Sequence, residues 1–287
     1  MPYNILLIAN DVYFKLLAVC LKSLLSVCDL SKIKKIFIAN LGLNDENLSC
    51  LQNLNAKIEI INAGTIASGS AAVHSKDWVD AVSQKTRILH KLVQDDNIPV
   101  IMMDSDMIII EDFSGVINNN FDIQICRRSK PLIRPDGLVV NHIASFFVIN
   151  NKGGLSFITD WINRMHERID LNMIPPHETP AMVEVLSKEE NISKFGFIDD
   201  KIVSCENSYI PGTTKIVHAK GRTAKDKISI FRFSNIKNLP YSKTIYLFNG
   251  TEKITFTLSF ALKKIVNGYE IKNKLRQIKK RISKKDK

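Results

Sequence analysis

Residues 100–110 form an apolar segment that is interrupted only by Asp104, Ser105 and Asp106. The segment is short and follows Pro99, which predicts a buried strand of a parallel sheet. Ligands bind at the carboxyl ends of such strands, and desolvating a carboxylate without a counter-charge is costly. Side chains at i and i+2 of an extended chain point to the same side, so the two aspartates could bind one divalent cation together. The alternative is a strand that simply ends in a polar turn.

The rest of the chain predicts an α/β architecture. Apolar runs predict strands at residues 5–8, 33–39 and 57–61, and helical periodicity predicts helices at residues 12–27, 44–54 (with Asn44 as the cap) and 79–94. This alternation predicts a parallel sheet with right-handed crossovers and helices on both faces. Further strands are expected at residues 121–126 and 144–149, and further helices at 153–169 and 182–186. We expect one domain over residues 1–249, followed by a helical, basic membrane-association tail over residues 250–287.

Composition is that of an ordinary globular protein, with 45% hydrophobic and 24% charged residues. No apolar run approaches the roughly 20 residues that cross a bilayer, and the first ten residues do not resemble a signal peptide. The five cysteines are scattered and match neither a zinc spacing nor a disulfide framework. These features predict a cytoplasmic protein with reduced thiols.

Positive charge is concentrated in the tail, where residues 263–287 carry +9 of the total net charge of +11. A nearly neutral body argues against nucleic-acid binding by the main domain. Apolar residues of the tail share one helical face, with lysines and arginines elsewhere: Ile271, Leu275, Ile278 and Ile282. Such a basic amphipathic helix lies on anionic membrane surfaces. A solvated disordered tail or an oligomer contact are the alternatives, and the oligomeric state is not predicted.

A third metal ligand is available in His218, which follows a brief apolar strand and precedes Gly221, Arg222 and Lys225. Aspartate oxygens suit Mg or Mn, and an imidazole moves the preference toward Mn. The glycine and the two cations would bind phosphate groups. A histidine in this context is otherwise a structural residue.

Four segments, in order, resemble the family 8 glycosyltransferases of the GT-A fold, especially bacterial lipooligosaccharide galactosyl- and glucosyltransferases. Residues 7–13 and 21–24 resemble the family's uridine-binding start. Arg87 lies seventeen residues before Asp104, and this spacing resembles that of the family's segment from an arginine to the Asp-x-Asp motif. Residues 144–150, with a helix reaching Trp161, resemble its acceptor-side strand, and residues 218–225 its late His-x-x-Gly…Lys element. The resemblance implies a GT-A (Rossmann-like) mixed, mainly parallel sheet flanked by helices.

The resemblance also implies roles for individual residues. Asp104, Asp106 and His218 would hold Mn (or Mg) between the two phosphates of a UDP-sugar. Lys225, with Arg222 as its rival, would add a charge to the same phosphates. Tyr13 would stack on uracil, and Arg87 would neutralise the aspartate pair or orient the sugar. The other residues of the implied donor site are Ala9, Asn10, Asp11, Ser105 and Gly221.

Three positions depart from the family pattern. Asn10 replaces the usual aspartate that faces the base, which leaves the preference for uracil open. Residues 141–145 replace the family's Phe-Asn-Ala-Gly stretch, and His177-Glu178 matches its Asp-Gln pair near the anomeric carbon. Glu178 would therefore form a glycosyl-enzyme or stabilise oxocarbenium character. Alternatively, it is a favourable charge at a helix N-terminus before Pro180.

The sequence thus predicts a metal-dependent, retaining glycosyltransferase that moves galactose or glucose from a UDP-sugar to a lipooligosaccharide or other surface-glycan acceptor. It would work peripherally on the inner face of the cytoplasmic membrane. One alternative is a haloacid-dehalogenase-like phosphatase with Asp199-Asp200 as its later acidic pair, although Met107 after Asp106 does not fit that motif. A second alternative is a catalytically degenerate nucleotide-sugar-binding module, which the departures at Asn10 and His177-Glu178 favour.

Overall fold

Alternating strands and helices build the first half of the chain, as the sequence predicts. The strands are β1 (Tyr3–Ala9), β2 (Ile33–Asn40), β3 (Ile58–Asn62) and β4 (Val100–Met103), and the helices are α1 (Phe14–Val27), α2 (Asp45–Leu54) and α3 (Lys76–Asp95). The Asn44 side chain caps α2 by accepting a hydrogen bond from the Asn47 amide, as predicted. The computed structural model describes residues 1–64, 76–134, 137–173, 178–188, 193–204, 210, 212–218, 244–246 and 253–255.

The second half contains longer antiparallel strands than the sequence predicts. Its strands are β5 (Met107–Ile109), β6 (Ile123–Ile133), β7 (Val139–Ile149), β8 (Phe195–Asp199), β9 (Val203–Ser204), β10 (Ile216–His218), β11 (Thr244–Tyr246) and β12 (Lys253–Thr255). Its helices are α4 (Leu155–Asp170) and α5 (Glu178–Leu186). The predicted helix over 153–169 is confirmed as α4, while α5 begins four residues earlier than its predicted start.

Among the described residues, the main sheet has seven strands in the order β3-β2-β1-β4-β7-β6-β8. β7 alone among these strands runs antiparallel to its neighbours β4 and β6. The chain leaves β1 toward β2 on one side, whereas β4 pairs with β1 on the other side. This change of direction creates a crevice at the carboxyl ends of β1 and β4, which is where ligands of open α/β sheets bind. The predicted mixed, mainly parallel α/β sheet is confirmed.

Residues 100–110 do not form one strand, which corrects the sequence prediction. β4 belongs to the main sheet, whereas β5 pairs with β10 in a separate three-stranded sheet with β9. The Asp104 amide donates to the Ser145 carbonyl at 2.9 Å, and the chain then turns through Ser105 and Asp106. The physical reason is solvation, because a turn lets both carboxylates reach polar partners while the apolar residues on either side stay buried.

Successive side chains of the central strands pack on opposite faces of the sheet. Ile5 and Leu7 of β1 join the apolar cluster under α1, whereas Leu6 joins a second cluster with Leu89 of α3 and Trp161 of α4. Both faces are therefore covered by helices, and polar side chains are left for the strand ends.

A buried charged contact fixes α5 against α4. The Arg168 side chain is fully buried and pairs with Glu184, whose Oε2 also lies 2.6 Å from Nε of Arg164. The indole of Trp161 donates to the backbone carbonyl of Glu178 at 2.8 Å. The position of Glu178, the first residue of α5, is therefore set by α4.

The predicted boundary between residues 249 and 250 falls between β11 and β12, which pair with each other in antiparallel register. Residues 253–255 are thus a strand, where the sequence prediction has a helical tail. The amphipathic stripe at residues 271–282 lies outside the described residues, and the division into domain and tail stays a prediction. Among the described helices, none combines the length and apolarity needed to span a bilayer.

We expect Glu184→Ala to lower the free energy of unfolding by about 3 kcal/mol, because it leaves the buried Arg168 guanidinium without this carboxylate. Urea denaturation measures the change. Glu167→Ala is the matched control, since Glu167 pairs with the same Arg164 but is 56% exposed; its effect should stay below about 0.5 kcal/mol. Equal stability of the two variants would contradict this account of the contact between α4 and α5.

Candidate active site

Three side chains that could bind a metal ion meet where β5 pairs with β10. Asp104 and Asp106 lie in the turn between β4 and β5, and the register of the pairing sets His218 opposite Met107. Nε2 of His218 lies 3.0 Å from Oδ1 of Asp106 and 3.6 Å from Oδ2 of Asp104. One potential ligand atom from each of the three residues lies within 4.8 Å of the others. The structure therefore brings together the three metal ligands that the sequence predicts.

The donor set fits a divalent cation. Two carboxylate oxygens and one imidazole nitrogen are suitable ligands for Mn or Mg. Asp106 and His218 are buried and Asp104 is half-buried, so the site is open on the Asp104 side. This arrangement would leave coordination positions for oxygen atoms of a bound diphosphate.

Lys85 of α3 is a site residue that the sequence interpretation missed. Its Nζ lies 2.8 Å from Oδ1 of Asp104 and 3.4 Å from Oε1 of Glu178, and its side chain is only 3% exposed. Burial by itself lowers the pKa of this ammonium, but the charges of Asp104 and Glu178 outweigh burial and raise the pKa above its usual value. Lys85 is therefore a positively charged bridge between Asp104 and α5.

The sequence carries a signal for Lys85. Lys85, Leu89 and Val93 follow each other at intervals of four residues, and all three are buried. They therefore form the inward face of the amphipathic helix α3. A lysine in the apolar stripe of a helix needs an opposite charge nearby. This requirement indicates a functional site more strongly than the spacing between Arg87 and Asp104 does.

Arg87 does not contact the aspartate pair, which corrects the first of its two expected roles, whereas the second, orienting the sugar, stays a prediction. Two residues of helix rotate a side chain by roughly 200°, so Arg87 faces away from Lys85. Arg87 is exposed, and its Nη2 lies 2.7 Å from Nε2 of His166 in α4.

The loop after β1 lies next to residues 104–106, which we call the aspartate turn, because the Ser105 hydroxyl donates to the backbone carbonyl of Ile8. Ala9 is buried at the end of β1, and the Asn10 side chain accepts from the Tyr13 amide at 3.2 Å, which caps a short 3-10 helix at Asp11–Tyr13. Tyr13 is half-buried. The structure thus brings the predicted base-binding segment to the same edge as the metal ligands.

Asp11 has a structural task in this loop. Its carboxylate accepts hydrogen bonds from the Asn44 amide at 2.8 Å and from the Asn47 side chain at 2.9 Å. These contacts, the Asn44 amide foremost, lower the pKa of Asp11 below its usual value. Asp11 therefore anchors the start of α2 to the end of β1.

Glu178 faces the aspartate turn from α5. Its side chain is 12% exposed, and the contact with Lys85 links it to Asp104. Lys85 thus pairs with Asp104 and Glu178, while Asp106 contacts His218, so the described residues of the site include three carboxylates and one lysine. This excess of negative charge favours a divalent cation. His177, Gly221, Arg222 and Lys225 lie outside the described residues.

Asp199 and Asp200 do not join this cluster. Asp199 accepts from the Lys201 amide at 2.7 Å, and Asp200 accepts from the Ser129 amide at 2.9 Å. Both carboxylates therefore stabilise backbone near the end of β8.

Glycosyltransferases are among the solved structures that this fold resembles. The bifunctional glycosyltransferase WbbM matches with a TM-score of 0.54 at 12% identity, over 84% of this chain and 50% of that chain. The galactosyltransferase LgtC, in complex with donor and acceptor sugar analogs, matches with a TM-score of 0.52 at 14% identity, over 83% and 97%. GlyE of Streptococcus pneumoniae TIGR4 matches with a TM-score of 0.52 at 14% identity, over 77% and 55%. This chain thus spans about half the length of the WbbM and GlyE chains.

No curated protein matches the sequence significantly. The sequence profile of the nucleotide-diphospho-sugar transferase family matches residues 47–231, which is more than half of the chain and includes α3, the aspartate turn, α5 and His218. The chain therefore belongs to the nucleotide-diphospho-sugar transferase family, and it is a glycosyltransferase of the GT-A fold.

Proposed function

We propose that the protein is a metal-dependent, retaining hexosyltransferase that uses a UDP-sugar as donor. The observation that carries the proposal is the cluster of Asp104, Asp106 and His218 beside the Lys85–Glu178 pair, at the carboxyl edge of β1 and β4. Membership in the family supports nucleotide-sugar chemistry and argues against the phosphatase alternative. The separate positions of Asp199 and Asp200 argue against it as well.

The metal would be held by Asp104, Asp106 and His218, and we propose Mn, with Mg as the second choice. When bound, a divalent cation offsets the charge on the departing diphosphate. Lys85 holds Asp104 in place through its 2.8 Å contact, so it acts as a positioning residue. On the base side, Tyr13 would stack on uracil, and Ala9, Asn10, Asp11 and Ser105 would shape the pocket for base and ribose. We propose Gly221 and Lys225 as phosphate-binding residues.

Glu178 is the residue that we propose to act on the sugar. It reaches the metal cluster through Lys85, and its backbone is fixed by Trp161. One solved LgtC structure carries an active-site Gln-to-Glu substitution, and this chain has Glu178 at the position that resembles the family's Gln. A carboxylate here would either attack the anomeric carbon to form a glycosyl-enzyme or stabilise positive charge as the diphosphate departs.

For the acceptor we propose a lipooligosaccharide or another surface glycan linked to lipid, with galactose or glucose as the transferred sugar. LgtC, a galactosyltransferase, has been solved with donor and acceptor sugar analogs, which supports a glycan acceptor. The basic stripe of residues 271–282 supports peripheral binding to the anionic inner face of the cytoplasmic membrane.

We expect Asp106→Asn to reduce Mn-dependent release of UDP from UDP-galactose or UDP-glucose at least about 100-fold, because it removes one anionic ligand. Thermal stabilisation by Mn with UDP should disappear in the same variant. Asp96→Asn is the matched control, since Asp96 pairs on the surface with Lys34 at 2.9 Å. Mn-dependent release at the wild-type rate in the Asp106 variant would overturn the metal site. Mn-dependent binding without turnover in the wild type would instead favour the degenerate module.

Lys85→Met should lower kcat at least about 30-fold, since it removes the buried ammonium between two carboxylates. Arg87 lies two residues away on the exposed face of the same helix, so Arg87→Met should leave kcat within about twofold of the wild-type value. Steady-state kinetics with soluble acceptor measure both, and circular dichroism checks that both variants fold. A larger loss in the Arg87 variant would restore the role that the sequence alone assigns to Arg87.

Glu178→Gln should nearly abolish transfer, because an amide neither attacks the anomeric carbon nor carries the stabilising charge. Glu111→Gln is the control, as Glu111 pairs with Lys215 at 2.7 Å near the far end of β5. Retained transfer in the Glu178 variant would remove this residue from the reaction. Intact-mass analysis with donor alone separates the two roles, since a glycosyl-enzyme adds the mass of one hexosyl group to the wild type.

A further inference from the structure

The hairpin formed by the ends of β6 and β7 extends beyond the main sheet; we call residues 127–142 the arm. β8 pairs with β6 only as far as Arg127, and β4 pairs with β7 only up to Phe146. Beyond these points β6 and β7 pair with each other, with Ile133 opposite Val139. The arm therefore rises from the carboxyl edge of the sheet, and its base adjoins the Asp104–Ser145 contact.

The end of the arm is apolar and exposed. Leu132 is 51%, Ile133 72% and Val139 43% exposed. Ile133 and Val139 are a directly opposed cross-strand pair, so their side chains point to one face, whereas Leu132, the neighbour of Ile133 in β6, points to the other face. The strand from Ser145 to Val139 spans six residues, which places this end up to about 20 Å beyond the aspartate turn. An isolated apolar residue on a surface is common, but exposed aliphatic side chains on both faces of the end of a projecting hairpin indicate a partner that surrounds this end.

The charges of the arm are nearly all positive. It contains Arg127, Arg128, Lys130 and Arg134, and its single carboxylate is that of Asp136. His142 adds no charge at neutral pH, because burial, reinforced by Arg127, lowers its pKa to about 4. Long basic side chains next to exposed aliphatic ones match an anionic lipid surface, where the apolar groups enter the acyl region and the cations reach the headgroups.

The base of the arm is rigid. The Phe197 ring of β8 stacks on His142 with ring centroids 5.1 Å apart. The Arg127 guanidinium lies 5.3 Å from the centroid of the Phe197 ring. The Asp200 carboxylate also accepts from the Ser129 amide. Lys130 and Pro131 lie in β6 at this point, and both residue types discourage strand addition by another protein chain. This feature favours a membrane over a β-strand partner.

We propose that the arm is a membrane-docking element whose end, with Ile133 and Val139 on one face and Leu132 on the other, inserts into an anionic bilayer beside the active site. This inference rests on the proposed function for its purpose, which is to bring a lipid-linked acceptor to Asp104 and Glu178. It adds a second contact to the one expected of the C-terminal tail and fixes which edge of the sheet faces the membrane.

Sedimentation of the full chain with phosphatidylcholine vesicles, with and without phosphatidylglycerol, tests the proposal. We expect Leu132→Ser/Ile133→Ser and Arg128→Gln/Lys130→Gln each to weaken binding to anionic vesicles about tenfold. Lys152→Gln/Lys194→Gln removes the same number of charges at the opposite edge of the sheet, where both lysines are exposed, and should change binding less than about twofold. Thermal unfolding verifies that the variants fold.

Insertion is read directly with Ile133→Trp and brominated lipids. The added tryptophan should be quenched by anionic brominated vesicles, with wild type as the reference for the native tryptophans. Absence of quenching overturns the proposal, as does wild-type binding by both arm variants. Binding that depends only on residues 272–287 assigns the membrane to the tail and also overturns it. Failure of the wild type to release UDP from any UDP-sugar would refute the proposed function and leave these vesicle results valid.

Discussion

The structure around the active site depends on how three carboxylates are accommodated at the end of a buried strand. Asp104 and Asp106 follow an apolar strand, and Glu178 faces them from a helix on the sheet. Water alone does not solvate Asp106, which is buried, so the fold supplies Lys85 and His218 around the cluster. The break between β4 and β5, the burial of a lysine in α3 and the pairing of β5 with β10 all follow from this need for counter-charges and polar partners.

Side chains of α4 hold α5, and with it Glu178, in place beside the site. Trp161 holds the carbonyl at the start of α5, and Arg164 and Arg168 hold Glu184 further along the helix. A buried arginine costs free energy unless a carboxylate pairs with it, so the contact also restricts how α5 packs. The orientation of Glu178 toward Lys85 is therefore a property of two packed helices, and it is more rigid than a position in a loop.

Much of the fold could be predicted from the sequence because its signals are local. The Asn44 cap, the apolar strands β1 to β3 and the helical periodicity of α1 and α3 all depend on neighbours within a few residues. The lengths of β6 and β7 could not be predicted, since the arm contains Pro131 and several charged residues, which do not predict a strand. Its extended form depends on pairing between the two strands, which is a long-range interaction.

The sequence by itself determined the α/β class, the aspartate pair and His218 as the candidate third ligand, because residue type and order carry that information. Only the tertiary structure decided that His218 lies beside Asp106, since the register between β5 and β10 joins residues 112 positions apart. It also decided that Lys85 is the cation in contact with Asp104, while Arg87 contacts His166. The reason is rotational: two residues on one helix face opposite directions, and packing against the sheet selects which of them is buried.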